Sequence, residues 1–209
     1  MSGIKIAVLI SGGGSNLQAI IDGIENKYIG GEISLVISNR EGVYGLERAS
    51  NHGIDTRVMT KQKYGTTIKR DIALLELLEE REIDLIVLAG YLAIIPGKII
   101  EKFPNRIINI HPSLIPSFAG DGFYGEKVHQ SAFDRGVKIS GASVHFVDEV
   151  TDGGPIILQE SVNIDFDDSP KQIQEKVLKI EHRILPLAIK LFAEGRLEVI
   201  DKRVKIHEK

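Results

Sequence analysis

Asn109-Ile110-His111-Pro112 is the segment richest in chemistry. In a strand, alternate side chains share a face, so Asn109 and His111 project together. An amide and an imidazolium side by side suit a developing oxyanion. An isolated Asn-x-His pair is more often a satisfied histidine beside a turn, and this segment alone leaves both readings open. The second candidate is Asp148-Glu149-Val150-Thr151-Asp152-Gly153-Gly154-Pro155, a turn loaded with carboxylates between two apolar runs. A carboxylate buried beside an imidazole would hold the ring protonated. Such a turn can equally be a solvated loop. Its spacing lacks the alternating ligands of a calcium loop, so no metal is expected. His145, between Val144 and Phe146, reads equally as structural or catalytic.

Two further segments could hold ligands. Ser11-Gly12-Gly13-Gly14-Ser15-Asn16 lies between an apolar strand and a helical pattern. A helix start offers unpaired N–H groups and a partial positive charge, which suits an anion. A dinucleotide fingerprint would need glycine where Leu17 stands and an acid near Ser38-Asn39. A nucleoside-triphosphate loop would need a lysine, and none is here. A single phosphate is therefore favoured, against a plain turn in which Ser15 caps the helix and Gln18 closes a capping box. Leu88-Ala89-Gly90-Tyr91-Leu92-Ala93-Ile94-Ile95-Pro96 is an apolar loop that could wall a heterocycle, or pack as ordinary core.

The elements that must position these residues follow from apolar periodicity. Strands are expected at Ile4–Ile10, Ile33–Ser38, Thr56–Met59, Leu85–Ala89, Ile107–Ile110, Ala142–Val147 and Ile156–Val162. Helices are expected at Ser15–Asn26, Gly45–His52 and Lys69–Glu82. The alternation predicts an α/β fold: a doubly wound, mainly parallel sheet with helices on both faces. The late strands follow one another without a helix, so they read as an antiparallel C-terminal addition. Ser169-Pro170-Lys171-Gln172 opens a last helix with a capping box. Its apolar positions are Ile173, Val177, Ile180, Ile184 and Leu187, with a kink expected at Pro186 and an end at Gly195. One domain over residues 1–209 is the simplest organisation.

Composition narrows the function. Lys+Arg number 26 and Asp+Glu 29, for a net charge of −3. A protein that grips nucleic-acid backbones usually carries a basic excess, so no nucleic-acid partner is expected. There is no cysteine, which removes disulfides, thiol nucleophiles and cysteine metal sites. No apolar run is long enough for a membrane span, and a cytoplasmic location is expected.

The stretches VLISGGGSNLQAII, SNREGVYGLERA, IVLAGYLAII, INIHPSLIPSFAG, SVHFVDEVTDGGPIILQE and IEHRILPLAIKLFAEGRL occur in this order along nearly the whole chain. Together they resemble the phosphoribosylglycinamide formyltransferases, a branch of the folate-dependent formyltransferase family. The resemblance implies formyl transfer from 10-formyltetrahydrofolate, as co-substrate, to the amine of 5′-phosphoribosylglycinamide in purine biosynthesis, without a metal, by a monomer or homodimer. It implies a catalytic set of Asn109, His111 and Asp152. Gly13, Gly14, Ser15 and Asn16 would hold the acceptor's phosphate and Glu181 its ribose hydroxyls. Tyr91, Leu92, Ala93, Ile94, Ile95, Asn109, Asp148, Val150 and Asp152 would contact the folate.

The chain also departs from that pattern. Ala93 is neutral where relatives can carry arginine, and Thr66-Thr67 replace another basic position of the family, leaving Lys63, Lys69 or Arg70 to hold the folate tail. Asp121-Gly122-Phe123-Tyr124-Gly125 lengthens the loop after Pro116. Two rivals remain: a nonenzymatic sensor of a phosphorylated metabolite, and a neighbouring folate enzyme acting on methionyl-tRNA or on formyltetrahydrofolate alone.

Overall fold

Continuous apolar runs become the central strands of the protein. In the computed structural model, which describes residues 3–208, Ile6–Ile10 are fully buried, as strands covered on both faces must be. Two compact units divide the chain, one up to Ile108 and one from Asn109 onward.

The first unit contains β1 (Ile4–Ile10), α1 (Ser15–Glu25), β2 (Gly31–Ser38), α2 (Tyr44–Asn51), β3 (Thr56–Val58), α3 (Lys61–Tyr64), α4 (Thr67–Glu80), β4 (Leu85–Leu88) and α5 (Gly97–Lys102). β1 pairs in parallel with β2 and with β4, and β2 with β3. Parallel neighbours need a crossover, which the helices supply. α4 starts at Thr67 rather than Lys69, because the Thr66 hydroxyl accepts the Lys69 N–H at 3.2 Å and caps the helix earlier. α3 and α5 are short helices that periodicity did not reveal; four and six residues show too little of a helical repeat.

β5 (Ile107–His111) carries the chain across the division between the units. The second unit continues with α6 (Glu126–Arg135), β6 (Ile139–Phe146), β7 (Ile156–Asn163), α7 (Pro170–Ala193), β8 (Leu197–Ile200) and β9 (Arg203–Ile206). β6 and β7 are antiparallel, as their helix-free connection anticipates. The strands form one mostly parallel sheet in the order β3-β2-β1-β4-β5-β6-β7, with β8-β9 as a separate hairpin.

At the start of α7, the Ser169 hydroxyl accepts the Gln172 N–H at 3.3 Å and Gln172 Oε1 accepts the Ser169 N–H at 2.9 Å. The expected capping box is therefore formed. Its buried stripe runs through Ile173, Val177, Ile180 and Ile184, then through Leu185, Ala188, Ile189 and Leu191 rather than Leu187. The helix continues past Pro186 to Ala193. α6 was not anticipated: its buried residues, Val128, His129 and Ala132, make a narrow stripe with little apolar signal. The β8–β9 hairpin was also missed, although Leu197–Ile206 alternates about a turn where Asp201 takes a positive φ of 56°. Among the described residues, no helix is long and apolar enough to cross a membrane.

Candidate active site

β5 delivers Asn109 and His111, two residues apart, on one face of its last turn of strand. β6 contributes His145, and the turn between β6 and β7 contributes Asp152. These side chains meet within the second unit. Nδ1 of His111 lies 3.4 Å from Asp152 Oδ2. Asn109 Nδ2 lies 3.4 Å from Asp152 Oδ1 and 3.1 Å from His145 Nε2. His145 Nε2 is in turn 3.6 Å from Asp152 Oδ1, while its Nδ1 donates to the Phe146 carbonyl at 2.8 Å. His111 and His145 are both buried, and Asp152 keeps only a tenth of its side chain exposed.

The loop after β5 closes this cluster from its backbone. His111 Nε2 donates to the Phe118 carbonyl at 2.9 Å, and the Gly120 N–H donates to Asp152 Oδ2 at 2.9 Å. Both nitrogens of the His111 ring therefore face acceptors. A second set of bonds holds the loop. The Ser143 hydroxyl donates to the Ser113 carbonyl at 2.6 Å and accepts the Ile115 N–H at 3.0 Å. The Gln159 side-chain amide donates to Ser143 Oγ at 2.8 Å and to the Ile115 carbonyl at 3.0 Å.

Asp152 reaches its position through a tight turn. Its φ is 54°, in the left-handed region that non-glycine residues seldom enter, and such a conformation persists where surrounding contacts over-determine it. A Cβ on Gly154 would lie 1.9 Å from the Phe146 carbonyl oxygen, so only glycine lets the turn pack there. Burial pushes the Asp152 carboxyl upward. The neighbouring His145 and His111 rings and the Gly120 N–H outweigh it and hold the group below the ordinary carboxylate value. Asp148 is different: its Oδ1 accepts the Val150 N–H at 2.9 Å and shapes the turn. Val150 is largely exposed.

In the first unit, Gly14 is the N-cap of α1, with φ 73° and no side-chain cap. This corrects the reading of Ser15 as a helix cap: Ser15 is already helical, and the Gln18 side chain bonds Asp22 and Arg48 instead. No side chain caps the helix start. Gly12 and Gly13 are exposed and Asn16 is buried. The loop is clamped from behind, where the Gly45 N–H donates to the Gly12 carbonyl at 3.1 Å and Arg48 Nε to the Gly13 carbonyl at 2.9 Å.

The 88–96 segment is part core and part surface. Ala89 and Ile95 are buried, whereas Leu92 and Ile94 are exposed. Tyr91 and Ala93 are half-buried, and burial pushes the Tyr91 hydroxyl above its ordinary value of 10.0. Exposed apolar side chains on a loop at a strand end fit a flat heterocycle. Of the three basic candidates for the folate tail, Arg70 is buried and donates through Nε to Asp71 at 2.8 Å, while Lys63 and Lys69 are exposed. Glu181 lies buried on α7 in the second unit.

The sequence reading left His145 undecided, and the structure gathers it into the cluster. Its strand alternation with Ser143 was the available signal. The Phe118 carbonyl and the Gly120 N–H were not foreseen, because main-chain groups have no residue type to read.

Residues 4–189 match the model of the formyl transferase family. This chain belongs to the formyl transferase family. Among family members, it is 43% identical over 197 residues to the phosphoribosylglycinamide formyltransferase of Haemophilus influenzae, covering 94% of this chain and 91% of that protein. It is 42% identical over 196 residues to the trifunctional purine biosynthetic protein adenosine-3 of Gallus gallus. That match covers 94% of this chain, which spans 19% of the length of the trifunctional protein. Among solved structures, glycinamide ribonucleotide transformylase 1 of Symbiobacterium toebii superposes with a TM-score of 0.93 at 45% identity, over 99% of this chain and 95% of that one. This formyl transferase therefore shares its fold along essentially its full described length.

Proposed function

We propose that this chain transfers the formyl group of 10-formyltetrahydrofolate to the amine of 5′-phosphoribosylglycinamide, a step of purine biosynthesis in the cytoplasm. The observation that carries the reading is the cluster of Asn109, Asp152 and the buried His111. Its carboxylate lies 3.4 Å from each of two donors, on a chain similar over 94% of its length to a phosphoribosylglycinamide formyltransferase.

The substrate amine attacks the formyl carbon, and a carbon–nitrogen bond forms. Negative charge gathers on the formyl oxygen. Asn109 Nδ2 and the His111 ring donate to that oxygen. Their contacts to Asp152, both at 3.4 Å, are long, and the oxyanion replaces them. Asp152 passes a proton, through water, from the attacking amine toward the leaving folate nitrogen. The bond to that nitrogen then breaks. Neither a covalent enzyme intermediate nor a metal takes part.

Gly13, Gly14, Ser15 and Asn16 bind the acceptor's phosphate, for which a helix N-terminus is suited. Glu181 binds its ribose hydroxyls. Tyr91, Leu92, Ala93, Ile94 and Ile95 are the folate contacts of the first unit. Lys63 or Lys69 holds the folate tail, since Arg70 is committed to Asp71. The chain works as a single formyltransferase domain on small-molecule substrates, as a monomer or homodimer, without nucleic acid or membrane.

The test is an absorbance assay for the folate product with 5′-phosphoribosylglycinamide as acceptor. Product should form only when both substrates are present. Formyl loss at the same rate without the acceptor would make the chain a hydrolase instead.

A further inference from the structure

The Ser11 hydroxyl is buried, and the chemistry above gives it no part. It is the first residue beyond β1, at the root of the Gly12–Asn16 loop. Its Oγ–H donates to Asn39 Oδ1 at 2.6 Å, and its oxygen accepts the Leu92 N–H at 2.8 Å. Asn39 follows the end of β2, and Leu92 lies in the loop that leaves β4. β2, β1 and β4 are neighbours in the sheet. One hydroxyl therefore ties together the C-terminal ends of three adjacent parallel strands, the end at which α/β sheets bind ligands.

A hydroxyl has one proton. With that proton on Asn39, the lone pair aimed at Leu92 is fixed in direction, and a shift of the Ser11 backbone is felt at the Leu92 N–H. The rest of the glycine loop is held separately, by the Gly45 N–H on the Gly12 carbonyl and by Arg48 on the Gly13 carbonyl. Beyond Leu92 the loop presents the exposed side chain of Ile94. The Leu92–Ser11 bond therefore ties the root of the glycine loop to the apolar loop.

We propose that Ser11 is a positioning residue that couples the two substrates, so that a phosphate seated on the glycine loop stiffens the Tyr91–Ile95 loop and tightens its hold on the folate. This rests on the proposed placement of phosphate and folate on those two loops. The coupling passes through the Asn39–Ser11–Leu92 hydrogen bonds and needs no contact between the ligands.

Binding with an unreactive pair tests it. Calorimetry measures the affinity for tetrahydrofolate with and without saturating 5′-phosphoribosylglycinamide. In the wild-type chain the acceptor should tighten folate binding by about fivefold or more, the scale of ordinary coupling between sites. Ser11→Ala should bring that ratio close to one and leave acceptor affinity within about twofold, since the other clamps of the glycine loop remain. Ser11→Thr, which keeps the hydroxyl, should restore the ratio. A measurement on the wild-type chain alone guards against misfolding: acceptor binding should slow hydrogen exchange of the Leu92 amide. An unchanged ratio in Ser11→Ala, or Leu92 exchange indifferent to the acceptor, overturns the role of Ser11 while formyl transfer by the wild type stands. A wild-type chain that makes no product overturns the functional reading and this inference with it.

Discussion

Nδ1 of His111 faces Oδ2 of Asp152 across 3.4 Å, and that same oxygen accepts the Gly120 N–H at 2.9 Å. One carboxylate thus orients the ring and pins the loop that covers it. Asp152→Asn keeps the shape but removes the charge. Turnover should fall by about a hundredfold or more, the usual loss when charge stabilisation at an oxyanion site is removed. Acceptor affinity should change little. Amide exchange at Gly120 should quicken, because a charged acceptor becomes a neutral one. Steady-state kinetics and exchange measurements check both halves, and an unchanged turnover number would remove Asp152 from the mechanism.

The two glycines proposed to bind phosphate should respond differently to substitution. A Cβ on Gly14 would lie 2.7 Å from the Gly45 Cα, and its φ is 73°. Gly14→Ala should therefore cost stability, about 1–3 kcal/mol from backbone strain alone. A Cβ on Gly13 meets nothing within 4 Å. Gly13→Val should leave the melting temperature nearly unchanged and weaken acceptor binding at least tenfold, by about 1.4 kcal/mol, since the added methyls stand where the anion must approach. Wild-type acceptor affinity in Gly13→Val would move the phosphate elsewhere.

Two buried groups set the response to acid in separate windows. His129 on α6 is buried, with no hydrogen-bond partner on Nδ1. Burial, and then the nearby charge of His111, lower its pKa from 6.5 to about 4. The unfolded chain binds that proton more readily, so stability is full above about 6.5 and falls as pH drops toward about 4. At about 1.36 kcal/mol for each pH unit of difference, the loss is roughly 3 kcal/mol at most. Asp152 has the opposite chemistry, with a folded pKa below the ordinary 3.8. Its contribution is present above about 3.9 and is lost only as pH falls through the lower folded value. Urea unfolding of wild type and His129→Gln between pH 7 and 4 separates them. The variant's stability should be the flatter of the two across that range, and parallel slopes would exclude His129 as the source.

The α7 cap carries a smaller and purely structural cost. Ser169→Ala removes the oxygen that accepts the Gln172 N–H. It should lower unfolding free energy by about 1 kcal/mol, with turnover at 25 °C unaffected. Denaturant titration measures it directly, and a loss of activity without a loss of stability would give this end of α7 a role in binding.

Much of the architecture was legible along the chain. β1 is the clearest case: its apolar run is too continuous for a half-exposed strand, and Ile6–Ile10 are fully buried. The Ser169–Gln172 box was readable because both of its bonds are local. Ser15-x-x-Gln18 carries the same local pattern, yet Gly14 caps that helix with no side chain involved. There the left-handed backbone and the clamp from Gly45 and Arg48 decided the turn, and neither is a property of the capping residues. The narrow stripe of α6 and the alternation of β8–β9 left weaker traces, and both elements went unread.

The sequence by itself determined which residues could do chemistry and which pairs are bound to share a face. Asn109 and His111 lie together because a strand repeats every two residues, and that relation holds wherever the strand is placed. The tertiary structure decided what stands opposite them. Asp152 is 43 residues from Asn109 along the chain, and no local period relates the two. The Phe118 carbonyl, the Gly120 N–H and the close pass of Gly154 against Phe146 are backbone features. Every residue but proline carries the same donor and acceptor, so only the path of the folded chain selects which of them meet the imidazole and the carboxylate.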